Sequence, residues 1–133
     1  MSDSSIPQLL LVEPEMILAE LTAFRLELLG YGIESVAEGG LAKDRLRRGR
    51  VDLMIVDTKL REGDGIEWLT ELRLEFTAED LPVLMFSLDP SLETVRRAFL
   101  AGAQDYLVTP FDPTVLETKV QNLLSANGAM VAL

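Results

Sequence analysis

Four short apolar runs, Leu9 to Val12, Leu53 to Val56, Val83 to Phe86 and Tyr106 to Val108, are continuous rather than alternating. Unbroken runs of this length suit strands covered on both faces, where successive side chains are all buried. A fifth segment, Ile33 to Ala37, mixes polar and apolar residues, as expected of a strand at a sheet edge. Between these runs the apolar spacing becomes helical: Ile17, Leu21, Phe24 and Leu28; Leu92, Val95 and Phe99; Leu116, Val120 and Leu123. Asp64-Gly65-Ile66-Glu67 has the form of a capping box and opens a helix that carries Leu69, Leu72 and Phe76 inward. Asp89-Pro90 and Asp112-Pro113 each place a capping carboxylate before a proline suited to a first helical turn, so both are expected to open helices. Gly30, Gly49 and Gly102 follow helical stretches, where a left-handed closing residue is commonly needed. The repeated alternation of strand and helix predicts an α/β domain: a doubly wound, five-stranded parallel sheet with right-handed crossovers and helices on both faces.

The 133-residue chain is long enough for one such domain. No apolar run approaches the roughly 18 residues a membrane helix needs. The opening Met1-Ser2-Asp3-Ser4-Ser5 lacks the basic start and apolar stretch of a signal peptide. A cytoplasmic protein without membrane contact is therefore expected. Cys and His are both absent, which removes disulfides, thiol nucleophiles, imidazole bases and imidazole metal ligands. The formal net charge of -10 opposes direct binding to a nucleic-acid backbone. Arg45, Arg47, Arg48 and Arg50 form the one basic cluster, read as a solvated helix end complementing its dipole.

In open parallel sheets, ligands bind beyond the carboxyl ends of the strands. The residues placed there are Glu13-Pro14-Glu15, Asp57-Thr58-Lys59, Ser87-Leu88-Asp89 and Thr109-Pro110. On these residues, and over Gln8 to about Leu124, the chain resembles the receiver domain of bacterial two-component response regulators. Asp57 matches the phosphoacceptor, Ser87 the switch hydroxyl and Tyr106 the aromatic switch, while Pro110-Phe111 and the loop Leu60, Asp64-Gly65 also sit at family positions. The resemblance implies a flavodoxin-like strand order 2-1-3-4-5, a receiver-like domain over 6–126 and a short C-terminal tail over 127–133. It also implies a cis Thr109-Pro110 bond.

The departures fall on one chemistry. The family's acidic pair is here Glu13-Pro14, and the family Lys is Thr109. Phosphorylating an aspartate draws on Mg²⁺ and on a cation that balances the transferred charge. Losing one carboxylate about 4 Å from an ion removes on the order of a few kcal/mol of attraction. The missing ammonium would have contributed a hydrogen bond of roughly 1.5 to 3 kcal/mol. Mg²⁺ at Glu13 and Asp57 is thus expected to be weak or absent. Lys59 is a candidate compensating cation, able to turn toward the site or pair with Glu13, Glu15 or Asp89.

Two functions from one class follow. In the first, a histidine kinase or phosphotransfer protein phosphorylates Asp57, with impaired chemistry, and a downstream protein reads the altered face of the fourth helix, fifth strand and fifth helix. That face could also pair two copies. In the second, a pseudo-receiver signals by binding alone. A flavin carrier of the same topology is disfavoured because Glu13-Pro14-Glu15 cannot cradle phosphate. An aspartyl-phosphate hydrolase would want an acid at Lys59. The domain is therefore expected not to be an enzyme.

Overall fold

The computed structural model describes residues 6–126, so the expected tail at 127–133 lies outside the described residues. The main sheet is built from β1 (Gln8–Val12), β2 (Gly32–Val36), β3 (Leu53–Asp57), β6 (Val83–Ser87) and β7 (Asp105–Val108). All neighbours pair in parallel, in the order β2-β1-β3-β6-β7. Numbering only these five strands gives 2-1-3-4-5, the flavodoxin-like order. The mixed segment is indeed at an edge, as β2. Two further short strands, β4 (Lys59–Leu60) and β5 (Gly63–Asp64), form a small antiparallel ladder in the loop after Asp57.

Continuous apolar strands have two buried faces, and here each supplies a separate core. Leu10, Val12, Met54, Val56 and Met85 pack with residues of α2 (Gly39–Arg47), α3 (Gly65–Leu72) and α4 (Leu92–Ala101). Their neighbours Leu9, Leu11, Leu53, Ile55 and Phe86 face the other way, against α1 (Met16–Glu27) and α5 (Pro113–Leu124). Leu69 and Leu72 are buried as the capping box implied, and Phe76 packs at the margin of the same core.

The ends of the helices follow the residues predicted to mark them, with one shift. Asp64 accepts hydrogen bonds from the amides of Ile66 and Glu67, and Asp112 caps α5 ahead of Pro113. Gly30, Gly49 and Gly102 all adopt positive φ. Asp89-Pro90, however, does not open α4. Ser91 is the cap, its hydroxyl accepting from the Thr94 amide, because the Asp89 carboxylate is engaged by the Ser91 amide and the Thr94 hydroxyl.

The helical spacing of Ile17, Leu21, Phe24 and Leu28 marks a real helix, but on its outer face. These four are 65%, 60%, 61% and 63% exposed, while Ala19, Thr22 and Leu26 face the core. Small residues at 19 and 22 let α1 lie close to the sheet, and the Thr22 hydroxyl is satisfied by the Leu18 carbonyl one turn back.

Gly65 ties the fold to the loop after Asp57. Its amide donates to the Thr58 carbonyl at 2.7 Å, and a Cβ added there would collide with the Asp57 carbonyl oxygen. Backbone cannot retreat as a flexible side chain does. Gly65→Ala is therefore expected to cost about 1 to 3 kcal/mol in urea unfolding, and an unchanged midpoint would show that the contact yields freely.

Candidate functional site

Each strand tip is fixed by the last bonds of the parallel ladder. The Glu13 amide donates to the Val36 carbonyl, Thr58 to Phe86, and Thr109 to Ser87, at 3.0, 2.8 and 2.8 Å. The chain turns immediately after these bonds, so the residues that follow β1, β3, β6 and β7 meet at one end of the sheet. They line an open cleft of about 1140 Å³ that includes Glu13, Pro14, Asp57, Lys59, Ser87 and Thr109. Tyr106 lies beside this cleft, 7% exposed on β7. The structure thus brings together every residue the sequence singled out for the site. The Thr109-Pro110 bond is cis, as the resemblance implied.

Glu13 is the unusual member. It is 3% exposed; its Oε2 accepts from the Glu15 amide at 3.0 Å, while Oε1 is buried without a hydrogen-bond partner. Burial first, and then the facing Asp57 carboxyl, push this carboxyl up to about 8. Near neutral pH the group therefore largely keeps its proton, which gives Oε1 something to donate toward Asp57.

Lys59 meets Asp57 through its backbone: the amide donates to Oδ1 at 2.9 Å. Its side chain is exposed and forms no ion pair among the described residues. Thr109, buried at 6% exposure, brings a hydroxyl where the family has an ammonium. No residue among these brings a cation into contact with Asp57.

The hydroxyl side of the cleft is already bonded. Thr58 Oγ1 donates to Ser87 Oγ at 2.8 Å, and the Asp89 amide donates to the same oxygen at 3.0 Å. Tyr106 OH donates to the Asp89 carbonyl at 2.6 Å, and burial pushes its phenol up. The Asp89 backbone thus holds Ser87 through its amide and Tyr106 through its carbonyl. Across the mouth, Arg97 of α4 pairs with Asp64 at 2.9 Å, and this contact helps hold the Asp64 carboxyl below the usual range.

Sequence reasoning placed Thr58 at the strand tip without giving it a role, and it missed Arg97. Thr58 adjoins Asp57 and carries a hydroxyl, so the signal was present; Arg97 is 33 residues from Asp64, and only the folded loop brings them together. The basic cluster behaves as expected of a solvated helix end. Arg45 pairs with Glu34, Arg47 with Glu75 and Arg50 with Asp52, and Arg48 lies 4.0 Å from Glu34.

The donor set fits a loosely held divalent ion. Mg²⁺ favours several oxygen ligands in octahedral geometry. Glu13 Oε1 is a free buried oxygen beside Asp57, but no group of three or more acids, His or Cys is placed to hold a metal among the described residues. Glu13 and Asp57 are the residues that would hold the ion, which would supply charge balance for phosphoryl oxygens.

The response regulator receiver domain model matches residues 9–121. Among similar proteins is the phosphate regulon transcriptional regulatory protein PhoB of Rhizobium meliloti (strain 1021), 32% identical over 119 residues that make up 90% of this chain and 52% of that protein. The DNA-binding dual master transcriptional regulator RpaA of Synechocystis sp. is 28% identical over 118 residues, 89% of this chain and 49% of its own. The chain thus spans about half the length of these curated relatives. In structure, a protein described as a response regulator from Chloroflexus aurantiacus J-10-fl has a TM-score of 0.84 at 30% identity, covering 90% of this chain and 98% of that one. Chemotaxis response regulator CheY4 of Vibrio cholerae has 0.82 at 25%, covering 89% and 98%. The chain belongs to the response regulator receiver family, the signalling modules of two-component systems.

Glu13 gives the site a pH signature. Its folded value, about 8, lies above the ordinary 4.5, so between those values the folded protein holds a proton the unfolded chain has released. Stability then falls as pH rises through that window. Wild type should lose stability relative to Glu13→Gln from about pH 4.5 to about pH 8 in chemical unfolding, and parallel curves would remove the assignment.

Proposed function

We propose that this receiver is a recognition module in which Asp57 holds the phosphoacceptor position but accepts a phosphoryl group poorly. The reading is carried by one observation: Asp57 faces a buried carboxyl, Glu13, with an unpartnered oxygen, and no cation among the described residues pairs with either acid. Transfer from a phosphohistidine would break the N–P bond and form an Oδ–P bond, adding negative charge next to Glu13. The Lys59 amide donates to Asp57, and the Thr58 and Ser87 hydroxyls lie on the other side, but none of these neutralises that charge.

A histidine kinase or phosphotransfer protein is the upstream partner on this reading, and a downstream protein reads the surface of α4, β7 and α5. Leu92, Phe99 and Val108 are exposed there at 81%, 45% and 38%, which supplies apolar area for contact. The route from site to surface is the chain of hydrogen bonds through Ser87, the Asp89 amide and carbonyl, and Tyr106. A phosphorylation-independent pseudo-receiver is the second reading. It is favoured by Pro14 and Thr109 and by the fact that Tyr106 is already held inward by Asp89.

Titration with beryllofluoride and Mg²⁺, followed by amide NMR of residues 57–60 and 87–89, tests the first reading. Saturation only at millimolar Mg²⁺, abolished by Asp57→Asn, is the expected result; tight binding would overturn the impaired chemistry. Complete silence would leave the pseudo-receiver as the function.

A further inference from the structure

We propose that the outer face of α1 is a self-association surface, on which a second copy of this chain lays its own α1 in parallel. The face is apolar where an ordinary surface helix is polar. Met16, Ile17, Leu21, Phe24 and Leu28 are 60% to 70% exposed. Ile17, Leu21, Phe24 and Leu28 are spaced by four, three and four residues, which is the seam spacing of two packed helices. The inner face buries Ala19, Thr22 and Leu26, while the five exposed apolar side chains are turned away from the helix's own core.

The edges of the seam say which occupant fits. Glu20 and Glu27 border it on one side, and Leu18 and Arg25 on the other. In a parallel pair the residue at one edge meets the residue five positions on in the other helix, so Glu20 of each copy faces Arg25 of its mate twice over. An antiparallel pair would instead oppose Glu20 to Glu27. The edges are therefore complementary to themselves under a twofold axis, which an isologous interface requires. Arg25 uses Nε to hold Glu117 of α5 at 2.5 Å, and no hydrogen bond among the described residues occupies its terminal nitrogens.

The area is adequate. Five large side chains exposed to this degree amount to on the order of 600 Å² per copy, or about 1,200 Å² for the pair, at the lower bound for specific interfaces. The net charge of -10 opposes association, but at a Debye length of about 8 Å most of that charge is screened from the seam. Both clefts would open toward the same end of such a pair, since each α1 starts beside its own Glu13.

Sedimentation of the full chain at about 100 µM, where a micromolar pair is saturated, should show a dimer. Leu21→Glu and Phe24→Glu should give monomers with unchanged far-ultraviolet circular dichroism, because both side chains are exposed. Glu20→Arg should weaken the pair at least about tenfold by setting Arg against Arg, and adding Arg25→Glu should restore it. Phe99→Glu on α4 should leave the dimer intact. A wild-type monomer, a dimer that survives Leu21→Glu, no effect of Glu20→Arg, or dissociation by Phe99→Glu would each overturn the proposal. So would a monomer whose α1 face binds only a helix of another protein.

Discussion

The division of every central strand between two cores is the constraint on which the rest depends. Leu10, Met54 and Met85 pack toward α2, α3 and α4, while Leu11, Ile55 and Phe86 pack toward α1 and α5. A slip of one residue in any strand would exchange the two sets and bring the wrong volumes into both cores. Register is therefore fixed, and with it the point at which each strand ends. That is why Glu13, Asp57, Ser87 and Thr109 arrive together: their positions follow from the burial of the residues before them. The cost is electrostatic. Two carboxyls share one partly dry pocket with no cation among their partners, so the more deeply buried one retains its proton.

The hydroxyl side of the pocket is organised independently of that charge. Ser87 Oγ accepts from both Thr58 and the Asp89 amide, so its acceptor capacity is filled. Tyr106 closes the arrangement by donating to the Asp89 carbonyl. Because both backbone groups of one residue, Asp89, are held by side chains from β6 and β7, the loop leading to α4 is anchored before any partner arrives. Arg97 and Asp64 add a second link between α4 and the loop after Asp57, although an exposed pair of this kind contributes little to stability.

Much of this architecture was legible in the residues. Continuous runs such as Leu53 to Val56 can be buried only as two-sided strands, and strand ends are where open parallel sheets collect their polar groups. The face of α1 was not legible, because periodicity identifies a stripe but not which side of it the core lies on. The sheet's own Leu9, Leu11, Leu53 and Ile55 fill much of the space, and α1 meets them with Ala19, Thr22 and Leu26. Asp89 misled for a related reason: a carboxylate before proline has several amides within reach, and here the Ser91 amide and Thr94 hydroxyl take it. The Lys59 contact with Asp57 runs through an amide that every non-proline residue carries, so the side chain gave no clue to it.

The turn from β1 into α1 shows how one substitution reshapes the site. Pro14 has no amide and a fixed φ, so the first free donor after Glu13 is the Glu15 amide, and it takes Glu13 Oε2. Glu15 in turn caps α1 through the Leu18 amide. One oxygen of Glu13 is thus committed to holding the start of the helix, and only Oε1 is left for the cleft. Where a second acid beside it would have offered more oxygens to an ion, Glu13 offers a single one, on a group that must first give up its proton. The residue that replaces charge with rigidity also joins the pocket to α1, because the same carboxylate bonds to the turn from which the exposed apolar helix begins.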